Sequence, residues 1–130
     1  MHENDIGKEI VDTAVQIHRE LGPGLLESVY EIVLEYELNQ RGLKTERQVR
    51  IPIRYKSIAF DEGFRADIIV EKKVIVELKS KEELSRADRK QIQTHLRLTG
   101  LKLGYLLNFG AALMKEGIVR AVNGLEEKEK

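Results

Sequence analysis

Phe64-Arg65-Ala66-Asp67-Ile68-Ile69-Val70-Glu71-Lys72-Lys73-Val74-Ile75-Val76-Glu77-Leu78-Lys79 is two apolar runs of strand length separated by three charged residues. Ile- and Val-rich runs of this size are strand signals, and a three-residue polar break is of hairpin length. The reading predicts strands from Phe64 to Val70 and from Val74 to Lys79. With Glu71-Lys72-Lys73 as the loop, counting outward sets Asp67 opposite Glu77, with Cβ atoms about 5 Å apart on one face. Alternation puts Lys79 on the same face as Glu77, and Val74, Val76 and Leu78 on the other. Val74-Ile75-Val76 is apolar on both faces, as a central strand is.

Two carboxylates placed opposite each other repel, so something must compensate them. One answer is chemical: hard oxygen ligands hold Mg²⁺, with an ammonium beside the activated water. The other is a wet face on which Lys79 or Arg65 bridges the acids. The hairpin alone leaves both open.

Toward the N-terminus, Ile6, Ile10, Ala14, Ile17 and Leu21 recur at helical spacing, predicting an amphipathic helix over about 5–21 with an acidic outer face. Gly22-Pro23-Gly24 stops it. A second helix is expected from about Leu25 to Arg41, with Gly42 as its C-cap. Thr45 to Tyr55 alternates with a period of two and contains Pro52, the signature of an edge strand or a bulge. Toward the C-terminus, Leu84 to Thr99 returns to helical spacing and ends at Gly100. Leu103 to Phe109 is an apolar strand, and Ile118 to Val122 is a candidate last one. The order is ααβββαβ with a further β, an α/β fold with a mixed sheet, because a helix between two strands is the crossover that parallel pairing needs. Residues 1–123 are expected to form one domain and 124–130 a charged, disordered tail.

Composition narrows the chemistry. The chain has 130 residues, no cysteine and equal numbers of basic and acidic side chains, 22 of each. Without cysteine there is no thiolate zinc site, no iron–sulfur cluster and no cysteine nucleophile. His2, His18 and His95 have no ligand spacing between them. No apolar run is long enough to span a membrane and no signal-peptide pattern opens the chain, so a cytoplasmic location is expected. The neutral total hides basic blocks at Arg41 to Lys56 and Lys79 to Lys102 around a locally acidic stretch. Such blocks suit a cation site beside a polyanion track and equally suit solvated faces.

Asp67, separated by nine residues from Glu77-Leu78-Lys79, in strands preceding a helix that carries Gln91, resembles the PD-(D/E)XK nuclease superfamily. Gly24-Leu25-Leu26-Glu27-Ser28-Val29-Tyr30 and Asn108-Phe109-Gly110 are similar to its GxxExxY branch. The resemblance covers residues 5–122 and implies a restriction-endonuclease-like three-layer core. It implies a metal-dependent nuclease hydrolysing phosphodiester bonds, with Mg²⁺ or Mn²⁺ on Asp67, Glu77 and the Leu78 carbonyl. Lys79 would orient the water or steady developing charge, Glu27 would complete the metal shell from the second helix, and Gln91 would position water or phosphate. Two positions depart from the pattern: Ala66 stands where proline precedes the aspartate, and His95 stands where a tyrosine often follows the glutamine. Nucleic acid, DNA or RNA, is the expected partner. The alternatives are a catalytically silent nucleic-acid-binding or protein-interaction module of the same fold and, for assembly, a homodimer that buries the acidic first helix. Tyr30 reads as a core residue. Glu27 also has a plain reading as a carboxylate favoured at a helix start, and Gln91 with His95 as a polar face.

Overall fold

The computed structural model describes residues 1–127. Helix α1 (Glu3–Leu21) and helix α2 (Glu27–Gln40) lead into strands β1 (Thr45–Tyr55), β2 (Ile58–Val70) and β3 (Val74–Lys79). Helix α3 (Arg86–Thr99) crosses to β4 (Leu103–Asn108), and a short 3₁₀ turn (Met114–Gly117) precedes β5 (Ile118–Val122). The five strands lie in sequence order in one mixed sheet, with β3 and β4 parallel and every other pair antiparallel. The expected element order, including the last strand, is the observed one.

Alternation on the sheet feeds two cores. Val74, Val76, Leu78, Leu103, Tyr105 and Leu107 pack with Ile6, Ile10 and Ile17 of α1 and Tyr30, Leu34 and Leu38 of α2. On the other face Ile75 and Ile69 meet Ile92 and Leu96 of α3. The result is a three-layer arrangement with α1 and α2 on one side, the sheet in the middle and α3 on the other. Gly104 lets α3 come close, because a Cβ there would lie 2.8 Å from Ile75 Cγ2 and 3.2 Å from side-chain atoms of Ile92 and Leu96.

Three boundaries differ from the sequence reading, each for a local reason. Strand β2 begins at Ile58, since Ile58, Ala59 and Phe60 pair with Tyr55, Arg54 and Ile53 of β1, beyond the register shift that Asp61, Glu62 and Gly63 span. Gly63 is needed there, as a Cβ would sit 1.9 Å from Ile53 Cδ1. Helix α2 starts at Glu27 after an extended Leu26. Helix α3 starts at Arg86, where Ser85 and Asp88 close a capping box. Strand β1 is an edge strand and its register shifts between Ile51 and Ile53, around Pro52, as the proline led one to expect.

Of the expected tail, residues 128–130 lie outside the described residues. Leu125 packs on the larger core and the Glu126 carbonyl lies 3.1 Å from His2 Nε2. Among the described residues no helix is long and apolar enough to cross a membrane.

Candidate active site

The hairpin between β2 and β3 has the register that a loop of Glu71-Lys72-Lys73 requires: Val70 pairs with Val74, Ile69 with Ile75 and Ile68 with Val76. There the ladder stops, one step short of Asp67 and Glu77. In place of a further rung, the Asp67 carboxylate enters between the strands and Oδ2 accepts the Leu78 N–H at 2.9 Å. A side chain has replaced a backbone partner, so the strands part where the acidic residues lie.

Glu77 is buried on the α3 face, and its Oε1 lies 3.1 Å from His95 Nδ1. Burial holds its proton affinity well above the ordinary carboxylate value, to about 7; the His95 contact opposes this and the nearby Asp67 charge adds to it. The two acids therefore feel each other, and the contact from His95 does not fully offset the cost of ionising both. The imidazole is held on its other side by Phe64, stacked at 3.7 Å between ring centroids with planes 8° apart. His95, the departure from the family pattern, thus fixes the Glu77 carboxyl from the crossover helix.

Lys79 points to the same face as Glu77, with Nζ 3.9 Å from Asp88 Oδ1. Asp88 is already engaged: Lys81 Nζ donates to Oδ2 at 2.7 Å and the Ser85 N–H donates to the same oxygen at 2.9 Å. These bonds, the one from Lys81 foremost, pull the Asp88 carboxyl down to about 2. The Lys79 ammonium is left loosely held and partly exposed. Neither Lys79 nor Arg65 bridges Asp67 and Glu77, because Arg65 pairs with Glu62 at 2.6 Å.

On the opposite side of Asp67 stands Gln48 of β1. Its backbone has φ 52°, in the left-handed region that costs a non-glycine residue on the order of 1 kcal/mol or more. In this conformation its side-chain amide donates to Glu31 Oε1 at 2.7 Å and reaches Asp67 Oδ1 at 3.4 Å. Glu31, buried on α2, also accepts from Arg47 at 2.9 Å.

The expected Glu27 is exposed in the first turn of α2, on the side of the helix that carries Leu34 and Leu38. Its backbone neighbourhood is tied to the end of β3, since the Ser80 hydroxyl donates to the Leu25 carbonyl at 2.5 Å. Tyr30 belongs to the core as expected; it stacks on Phe109 at 4.4 Å, donates to the Gly22 carbonyl and accepts the Leu25 N–H. It shapes the loop that sets the start of α2. Gln91 is exposed on α3, three residues after Asp88 and four before His95, on the stripe that faces the site. Sequence reasoning missed Gln48, Glu31 and Asp88. The Ser85-to-Asp88 spacing is a readable cap signal, whereas Gln48 becomes visible only once the β1–β2 register places it beside Asp67.

Asp67, Glu77 and the carbonyl of Leu78 are hard oxygen donors of the type that suits a small divalent cation retaining several waters. Among the described residues no three carboxylate or imidazole side chains gather into a ready-made cage. The pair fits a cation for a different reason: a buried carboxyl whose ionisation is disfavoured beside a second carboxylate gains from any positive charge placed between them.

A mixed sheet between helices, with an Asp, a Glu and a Lys where its second and third strands part, defines a restriction-endonuclease-like protein. The family model of the PD-(D/E)XK nuclease superfamily matches residues 4–121, and the chain belongs to that superfamily. No curated protein and no solved structure matches it.

Proposed function

We propose that this protein is a Mg²⁺- or Mn²⁺-dependent nuclease of the GxxExxY branch, hydrolysing phosphodiester bonds in nucleic acid at Asp67, Glu77 and Lys79. The observation that carries the reading is the buried Glu77 carboxyl, raised to about 7, beside Asp67 at the parting of β2 and β3. Asp67, Glu77 and the Leu78 carbonyl would hold the ion, which when bound polarises a phosphoryl oxygen and lowers the pKa of water.

The chain's own residues supply the rest. His95 keeps the Glu77 carboxyl in one orientation. The Leu78 N–H takes Asp67 Oδ2, and Oδ1 is held only by the longer contact from the Gln48 amide. Lys79, weakly engaged by Asp88, is free to swing its ammonium to the scissile phosphate and offset charge that develops in the transition state. Glu27 would orient water from the start of α2, and Gln91 would offer its amide to water or phosphate from α3. Arg86, Arg89 and Lys90 in the first half of α3 are exposed, as are Arg50 and Arg54 on β1, and these would contact the phosphate backbone. Arg41 and Arg47 are committed elsewhere, to Glu9 and to Glu31 with Glu35, so the first basic block is only partly available.

The test is cleavage of labelled single- and double-stranded DNA and RNA with Mg²⁺, Mn²⁺ or EDTA, comparing wild type with Asp67→Ala and Lys79→Ala. Metal-dependent cleavage lost in both variants is expected; cleavage that persists in both belongs to another site. The contacts that already satisfy Asp67 and Glu77 favour one second reading, a silent binding module. Under it, divalent metal leaves the melting temperature of the wild type unmoved, whereas a working site is stabilised by mass action.

A further inference from the structure

Helix α2 is apolar on two opposite sides. Tyr30, Leu34 and Leu38 are buried in the core, while Val29, Ile32 and Tyr36 point the other way and remain 38%, 53% and 59% exposed. Leu25 and Leu26, just before the helix, extend this outer stripe at 40% and 74% exposure, and Val33 flanks it half-buried. An ordinary surface helix carries one apolar stripe toward the core and a polar outer face, so a second stripe facing away from the core calls for a partner. Spacings of three and four along 26, 29, 33 and 36 are those by which one helix packs on another.

We propose that this stripe is the interface of a two-fold symmetric homodimer, in which α2 pairs antiparallel with α2 of a second copy. Three observations select a second copy. The stripe is self-complementary: turned end for end about the level of residues 30–31, Val29 meets Ile32 and Val33 of the other copy, and Leu25 and Leu26 meet Tyr36. Of the four glutamates of α2, Glu31 faces inward to Gln48 and Arg47, Glu35 is taken by Arg47, and helical spacing puts Glu27 and Glu37 off the stripe. The flanking positions nearest the stripe are Ser28, Asn39 and Gln40. Finally, the five most exposed side chains present roughly 500 Å² together, so full coverage in a symmetric pair buries on the order of 1,000 Å², the low end for an interface that forms and dissociates. An isologous patch of this small size gives a dimer that dissociates on dilution.

The interface does not use the acidic first helix. Sedimentation or light scattering over a wide concentration range tests it on the full chain. The expected result is a monomer at low concentration and a dimer at high concentration, with Ile32→Glu weakening dimerisation by at least about thirtyfold, as loss of a central apolar contact does. Because Ile32 is exposed, that variant should keep the wild-type far-ultraviolet spectrum, which separates loss of association from loss of fold. The chain has no cysteine, so Val29→Cys with Ile32→Cys should give a disulfide-linked dimer under mild oxidation. A wild type that stays monomeric at every concentration, or a dimer that Ile32→Glu leaves intact, would overturn the proposal.

Discussion

Replacing Glu77 by glutamine should stabilise the metal-free protein while disabling the site, and the size of the gain follows from the carboxyl's surroundings. In the folded chain Glu77 takes up its proton near 7, against 4.5 for an unhindered glutamate, chiefly because it is buried. Between these two values the folded protein binds more protons than the unfolded chain, so stability falls as pH rises through that window. Above about pH 7 the full cost of holding the buried charge is in place, roughly 3 kcal/mol for a difference of this size. Glutamine is isosteric, never ionises, can still accept from His95, and can donate to Asp67. At pH 8 in EDTA, Glu77→Gln should therefore melt higher than wild type by on the order of 10 °C for a domain of this length. Near pH 5 the two should converge. Thermal melts at closely spaced pH values read both features directly. Added Mg²⁺ should raise the wild-type melting temperature above pH 7 and leave the variant unmoved. If the variant is no more stable than wild type at pH 8, or if the wild-type curve is flat between pH 5 and 7, the carboxyl pair is not under the tension from which the site was argued.

Four further expectations concern its supports. His95→Ala removes the contact to Glu77 and the ring stacked on Phe64; it should cost about 2–4 kcal/mol and move the pH at which stability is lost upward, since His95 opposes the rise in Glu77. Denaturant unfolding at several pH values measures both. Tyr30→Phe deletes only a hydroxyl that donates to Gly22 and accepts from Leu25, and should cost about 1–3 kcal/mol, with amide exchange faster at Leu25. Ser85→Ala removes the α3 cap and should lower stability by about 0.5–2 kcal/mol in chemical denaturation. Nucleic-acid affinity should fall with salt by close to one power of concentration per phosphate contacted, and Arg86→Ala should reduce that slope by about one in a titration series.

The sequence determined the elements and the register of the β2–β3 hairpin because its signals are local. Hydrophobic period separates helix from strand, the Glu71-Lys72-Lys73 break has hairpin length, and parity then fixes which residues face each other. From these alone Asp67 and Glu77 are expected across from each other with Lys79 on the face of Glu77, and Val74 to Val76 declare a central strand. Tertiary structure decided what surrounds them. That the β2–β3 ladder ends at Ile68 and Val76, with Asp67 taking the Leu78 N–H, depends on strands parting in three dimensions. That His95 braces Glu77 while Gln48 reaches Asp67 depends on how α3 lies across the sheet and how β1 is registered against β2. The length of β2 and the second apolar side of α2 belong with these, because pairing and burial are set by partners distant in the chain, and no local pattern encodes which partner arrives.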